Sequence, residues 1–262
     1  MKLKQSIRYQ LEDYKASVLV YYCAVVALIV LMSVALGAVA GAGSNLEMSG
    51  ISAMSALFLF ICGLCSLHDN LPMLLQNGVS RKTMFLARLV VTGITAAFCA
   101  IVDHVLSMVI NLLARPFFSG YTVSLFEQEY GSIYPSMGAV PMTLFSLLFS
   151  FLLLLLASCL GYFIIVFFYR LSKPMRIVVG VCAAFLLTFG LPGAKMLDSV
   201  FLGEQLRAFS QQYVEPVADA ITASPLLTMG CWALTAVALS AVTWLLLRRT
   251  TVRRLGPAET AS

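Results

Sequence analysis

The sequence predicts an all-α integral membrane protein with six transmembrane helices and an N-terminal interfacial helix, and three observations predict it. Of the 262 residues, 60% are hydrophobic and only 11% are charged, whereas soluble globular chains carry about 25% charged residues. Five uncharged runs approach or exceed the roughly 20 residues that cross a hydrocarbon core; they occupy 16–46, 48–67, 130–169, 177–194 and 220–247. These runs do not alternate in polarity as barrel strands do, and an open backbone finds no partner in lipid, so helices are expected.

The predicted elements form one transmembrane domain over residues 1–262. Apolar residues recur at helical spacing from Leu3 to Tyr14 with basic residues on the other faces, which favours an interfacial helix over 1–15. Arg88, Asp103 and His104 interrupt the third span. The six spans are predicted at 16–40, 50–67, 84–113, 141–169, 176–191 and 226–247, with a cytoplasmic segment at 68–82 and an external segment at 195–225.

The basic residues predict the orientation of the chain. Of 17 lysines and arginines, all but Arg115, Lys195 and Arg207 fall on one side of the predicted spans. The positive-inside rule places that side, with both termini, in the cytoplasm. The net charge of +5 is therefore explained by membrane topology, and no nucleic-acid partner is expected. The lipid bilayer of a cell (plasma) membrane is the expected surrounding of the chain.

Several signatures of chemistry are missing from the sequence. There is no GxxxxGK[ST] loop for a nucleotide, no HExxH and no GxSxG. No enzymatic activity and no cofactor are therefore predicted for this chain. Cys62 and Cys65, followed by His68, are interpreted as packing residues because a zinc site needs about four ligands, so no metal is expected.

The segment HDNLPMLLQNGVSRKTMFLARL (68–89) carries the sharpest local signal. Asp69 or Asn70 is predicted to cap a short amphipathic helix, Gly78 to end it in a left-handed cap, and Ser80 to start the third span. Such a helix below the membrane is suited to docking in a groove of a cytoplasmic partner. The predicted docking residues are Leu71, Leu74, Leu75, Asn77, Gly78, Val79, Ser80, Arg81 and Lys82.

The stretch LLQNGVSRKTMFLARL resembles the corresponding segment of bacterial ABC-2-type transporter permeases, and the predicted layout of the whole chain is similar to theirs. The resemblance implies that 68–82 is a coupling segment which contacts a separate ABC ATPase subunit, with 170–176 as a second, smaller contact. It also implies a second permease chain, identical or related, and export of a peptide, drug or lipid. ATP hydrolysis would then take place on the partner subunit.

Asp103 and His104 are the other candidate functional residues, since ionisable groups inside a span are costly and often functional. One interpretation is that they line a conduit or relay protons, which would make the chain a secondary transporter or channel. The other is that they hydrogen-bond to a neighbouring helix or lie near the outer water. An intramembrane enzyme with an unfamiliar site is a third possibility for the chain.

Overall fold

A computed structural model of the chain describes residues 2–40, 48–49, 51–76, 78–114, 122–131, 133–134, 138–171, 175 and 223–248. The predicted fifth span (176–191) and external segment (195–225, save for its last three residues) lie outside these ranges. The described elements are α1 (Lys2–Ala40), β1 (Met48–Ser49), α2 (Ile51–Gln76), α3 (Arg81–Ala114), β2 (Thr122–Val123), α4 (Leu125–Tyr130), α5 (Ala139–Arg170) and α6 (Pro225–Arg248).

Four of these helices are long and apolar enough to cross a membrane, and α2 contains a shorter apolar stretch, Ile51–Ser66. Their outer surfaces are apolar, as a lipid-facing surface must be: Leu19 is 66% exposed and Leu234 is 71% exposed. Helices α3, α5 and α6 begin and end within three residues of the third, fourth and sixth predicted spans. The predicted class, an all-α membrane protein, is confirmed at this level.

Two predicted helix boundaries are absent from the structure. Helix α1 runs without a break from Lys2 to Ala40, so 1–15 is the first part of that helix and not a separate interfacial helix. Helix α2 likewise continues from Ile51 to Gln76, so no new helix starts at Asp69 or Asn70. At the start of α1 polar residues precede an apolar run without a helix breaker, and in α2 the helix continues through the polar residues that follow its apolar run; local polarity alone does not end a helix. Pro72 is accommodated within α2.

The helices pack in three apolar layers along the bundle. One layer surrounds Tyr162 and includes residues of α3, α5 and α6. The middle layer joins α1, α2, α3 and α5 around Leu59 and Leu154. The third layer joins α4, α5 and α6 around Phe126, whose side chain is fully buried.

The contact between α2 and α5 depends on small residues. Gly63 and Gly161 meet there, and a Cβ atom on Gly63 would lie 2.6 Å from the carbonyl oxygen of Ser158. Small residues let helix backbones approach closely inside a membrane, where van der Waals packing drives helix association.

The two ends of the bundle are chemically different. At one end, here called the corner end, α2 turns into α3 at Gly78, and Arg81 donates from Nη1 to the carbonyl oxygen of Arg248 (3.3 Å). At the other, here called the strand end, β1 pairs in parallel with β2, matching Met48 with Thr122. Helices α5 and α6 both start at the strand end and finish at the corner end.

Four threonine hydroxyls in the spans are satisfied within their own helices. Those of Thr95, Thr143, Thr235 and Thr243 each donate to the carbonyl oxygen four residues earlier, at 2.5 to 3.0 Å. Such bonds are a usual solution for Ser and Thr in a helix whose surroundings offer no water. They agree with the membrane setting that the composition indicates.

Candidate functional site

The corner between α2 and α3 is a tight, well-defined turn. Gly78 has φ = 67°, the left-handed conformation that glycine adopts without steric cost. Ser80 then caps α3: its hydroxyl accepts from the backbone N–H of Thr83 (3.2 Å) and its carbonyl oxygen accepts from the N–H of Met84 (3.0 Å). The glycine stop and the serine start that the sequence predicts are both confirmed.

The predicted docking residues divide into two groups. The backbone of Leu71, Leu74 and Leu75 belongs to the last turns of α2, while their side chains, and Asn77 altogether, lie outside the described part of the chain. Beyond them, the turn is open to the surroundings. Gly78, Ser80 and Lys82 are exposed, and Val79 and Arg81 are half-buried.

Asp103 is buried among three helices, with 2% of its surface exposed. Its Oδ1 accepts from the hydroxyl of Tyr22 on α1 (2.8 Å) and from that of Ser55 on α2 (2.8 Å). The Tyr22 hydroxyl also lies 3.2 Å from the carbonyl oxygen of Cys99. Two hydroxyl donors thus attach α1 and α2 to the carboxyl group on α3, which agrees with the expectation that Asp103 bonds to neighbouring helices.

Asp103 also borders a small polar cleft near the strand end. His104 lies on the same wall, so the structure brings the two predicted residues to one cleft although they project from α3 in different directions. Within the described ranges, Oδ2 of Asp103 is buried without a hydrogen-bond partner. The other polar residues of the lining are serines from α2, α3, α5 and the start of α4, namely Ser52, Ser107, Ser146, Ser150 and Ser124. Such a cleft is suited to a water molecule or a small cation.

Arg88 is a residue whose setting sequence reasoning missed. The prediction counted it among the cytoplasmic charges at the start of the third span, but it is only 3% exposed. Its guanidinium carbon lies 4.9 Å from the ring centroid of Tyr14 on α1 and 5.4 Å from that of Tyr162 on α5. The interruption of an apolar span by one cation was the signal available in the sequence.

The surroundings of Arg88 do not fully compensate its charge. Nε, Nη1 and Nη2 are all buried without a hydrogen-bond partner among the residues that the structure describes. A desolvated cation–π contact contributes about 2 kcal/mol, whereas the effective penalty for burying an ion is several kcal/mol. Within the part of the chain that the structure describes, the ion pair recorded is between Lys15 and Glu12, and it does not involve Arg88. The guanidinium is therefore a buried cation with unused donors.

No protein-family model, no curated protein and no solved structure matches this chain.

Proposed function

We propose that this chain is the membrane-spanning permease subunit of an ATP-driven transporter of the ABC-2 type. In this proposal it lies in a bacterial cytoplasmic membrane with both termini inside, pairs with a second permease chain, and exports a peptide, drug or lipid. A separate ABC ATPase subunit supplies the energy. The main support for the proposal is the turn between α2 and α3, with the left-handed Gly78 and the Ser80 cap.

The length of α2 supports a coupling role for this corner. Its 26 residues correspond to about 39 Å at 1.5 Å per residue, against a hydrocarbon core of about 30 Å. Roughly the last six residues, 71–76, thus extend beyond the core if the helix starts at its edge. Because α2 is unbroken, a displacement of this end moves the span itself. A separate, loosely hinged helix would transmit such a displacement less well.

The corner also connects to α3 and α6. The Ser80 cap joins the turn directly to α3, and the bond from Arg81 to the carbonyl oxygen of Arg248 joins it to the end of α6. Movement of a partner against the turn would therefore act on three spans at once. ATP binding on the partner would be transmitted to the bundle through these three spans.

The charge distribution supports the proposed orientation. Lys82, Arg170 and Arg248 are exposed and lie where α3 begins and where α5 and α6 end. Glu127 and Glu129 are exposed on α4 at the strand end. The positive-inside rule then assigns the corner end to the cytoplasm, where the ATPase subunit is found.

Two measurements test the proposal: the side of the membrane on which Val79 lies, and the association of the chain with an ATPase subunit. A single cysteine at Val79, in a background without the native cysteines, is expected to react with an impermeant maleimide in inverted vesicles and not in intact cells. We expect a neighbouring reading frame to encode the ATPase, and Lys82→Glu to weaken the co-purification of that protein with this chain. Glu129→Lys, a charge change of equal size and opposite sign at the strand end, is the control and should not weaken it. Reaction of Val79→Cys from outside the cell, or equal loss in both charge variants, would refute the proposal.

A second candidate function rests on the polar cleft. The unpartnered Oδ2 of Asp103 beside His104 and five serines is a setting in which a proton or small cation could drive a secondary transporter or open a channel. Asp103→Asn separates the two functions. Transport driven by a proton gradient through Asp103 would be lost in this variant, whereas transport driven by ATP would be largely kept.

A further inference from the structure

We infer that the groove between α1 and α3 binds an anionic phospholipid, with the lipid phosphate held by the guanidinium of Arg88. The inference stands on two neighbouring features, an apolar groove and a buried cation with unused donors. It does not depend on ATP-driven transport or on the docking of any protein partner.

The groove has the dimensions and surface of an acyl-chain site. Its volume is about 950 Å³. It extends along α1 from Leu11 to Val26, about 22 Å at 1.5 Å per residue, which exceeds one leaflet of a hydrocarbon core about 30 Å thick. The walls are formed mainly by apolar side chains, among them Val18, Leu19, Ile94 and Phe98. One fatty acyl chain would cover this surface in the membrane.

The polar end of the groove lies toward the corner end, where a headgroup would be. Lys15 and Tyr14 line the groove there. Tyr14 both lines the groove and contacts Arg88, whose guanidinium carbon lies 4.9 Å from the centroid of its ring. The Tyr14 hydroxyl donates to the carbonyl oxygen of Cys62 (3.1 Å) and holds the ring in this position. Rotation of this one side chain would join the groove to the guanidinium.

The chemistry of Arg88 identifies the headgroup as anionic. A guanidinium donates two parallel hydrogen bonds to a phosphate, and all three nitrogens of Arg88 lack acceptors among the described residues. Of the carboxyl groups whose side chains the structure describes, Glu12 pairs with Lys15, Asp103 is fifteen residues along α3, about 22 Å away, and Glu127 and Glu129 lie on α4 at the strand end. A phosphate diester would supply the acceptors and the negative charge that the described surroundings of Arg88 lack.

The test measures lipid selectivity of the purified full chain. Native mass spectrometry would compare retention of phosphatidylglycerol and phosphatidylcholine of equal chain length. Arg88→Gln is expected to reduce the preference for phosphatidylglycerol about ten-fold, as loss of one charge-assisted contact does. Arg8→Gln removes an exposed arginine of α1 and is expected to keep the preference. Equal preference in wild type and Arg88→Gln would overturn the inference.

Two further experiments use the wild-type protein, without a substitution at Arg88. In the wild-type protein, phosphatidylglycerol with a photoactivatable acyl chain is expected to label peptides of α1 and α3 that line the groove, such as those containing Val26 and Phe98. Labelling confined to α5 or α6 would contradict the groove. An excess of inorganic phosphate is expected to leave the bound lipid in place, and displacement by phosphate would show that the site takes the free anion instead.

Discussion

Gly161 on α5 faces Gly63 on α2 so closely that a Cβ atom on Gly161 would lie 3.2 Å from the Cα atom of Gly63 and would clash with the carbonyl oxygen of Phe60. The neighbours at this point are backbone atoms, so no side chain can rotate away to make room. The α2–α5 contact, which holds the middle of the bundle together, therefore requires glycine on both helices.

Gly161→Ala is expected to lower the free energy of unfolding by about 1–3 kcal/mol, the usual cost of overpacking. Thermal unfolding of the purified protein in detergent measures it. Gly93→Ala is the matched control, because a Cβ atom there meets nothing within 4 Å and alanine favours a helix over glycine by up to about 1 kcal/mol. An equal loss of stability in both variants would contradict the close approach.

Asp103→Asn is expected to be more stable than Asp103→Leu by about 1–3 kcal/mol. The amide oxygen of asparagine can still accept from Tyr22 and Ser55, whereas leucine leaves two buried hydroxyls without this acceptor. Thermal unfolding of the two variants in the same detergent compares them. Identical midpoints would mean that the Asp103 hydrogen bonds contribute little to holding α1 and α2 on α3.

Arg88→Met is expected to raise the unfolding temperature in detergent that contains no anionic lipid. Burying an ion carries an effective penalty of several kcal/mol, and an apolar residue of similar volume does not carry it. Addition of phosphatidylglycerol should then stabilise the wild type and not the variant. A lower unfolding temperature of Arg88→Met in lipid-free detergent would instead indicate that the bundle already compensates the guanidinium. Arg8→Met serves as the exposed control.

Tyr130 and Thr228 are expected to be energetically coupled. Their hydroxyl oxygens are 2.8 Å apart and both side chains are buried, so this bond attaches α4 to the start of α6. A double-mutant cycle with Tyr130→Phe and Thr228→Val should give a coupling of about 0.5–1.5 kcal/mol. Strict additivity of the two single changes would show that the hydrogen bond does not form in the membrane.

Gly78→Ala and Ser80→Ala are each expected to destabilise the corner by about 1 kcal/mol, the first through the left-handed backbone and the second through the lost cap. Hydrogen exchange of the amide of Thr83 should report the Ser80 change locally. Lys82→Ala, an exposed change in the same turn of α3, should leave that exchange rate unaltered.

Local sequence was sufficient to predict the turn between α2 and α3, but it was not sufficient to predict the contacts that form between helices. Asn77-Gly78 and Ser80 specify a stop and a start because glycine conformation and serine capping act within a few residues. The partners of Asp103 are 81 residues away at Tyr22 and 48 residues away at Ser55, and no local pattern indicates such a meeting.

The difference between local patterns and contacts between helices also explains why the structure changed the interpretation of the Cys62–Cys65 motif and of Arg88. The motif Cys62-Gly63-Leu64-Cys65 drew attention through its cysteines, whereas the structure gives the important contact to the glycine between them. Arg88 was assigned to the cytoplasm because topology rules count charges along the chain. Whether a given charge is covered depends on which helices pack around it, here α1 and α5.

The setting of Arg88 has a consequence for the order of events during biosynthesis. The two hydroxyls that donate to Asp103 lie on α1 and α2. Both helices leave the ribosome before α3, so Asp103 can form these hydrogen bonds as soon as α3 emerges. Arg88 finds one ring on α1, but the other belongs to Tyr162 on α5 and is translated 74 residues later. Arg88 is the eighth residue of α3, and an ionisable residue inside a span is costly until neighbouring helices cover it. Stable lateral release of α3 from the insertion machinery is therefore expected to await the arrival of α5.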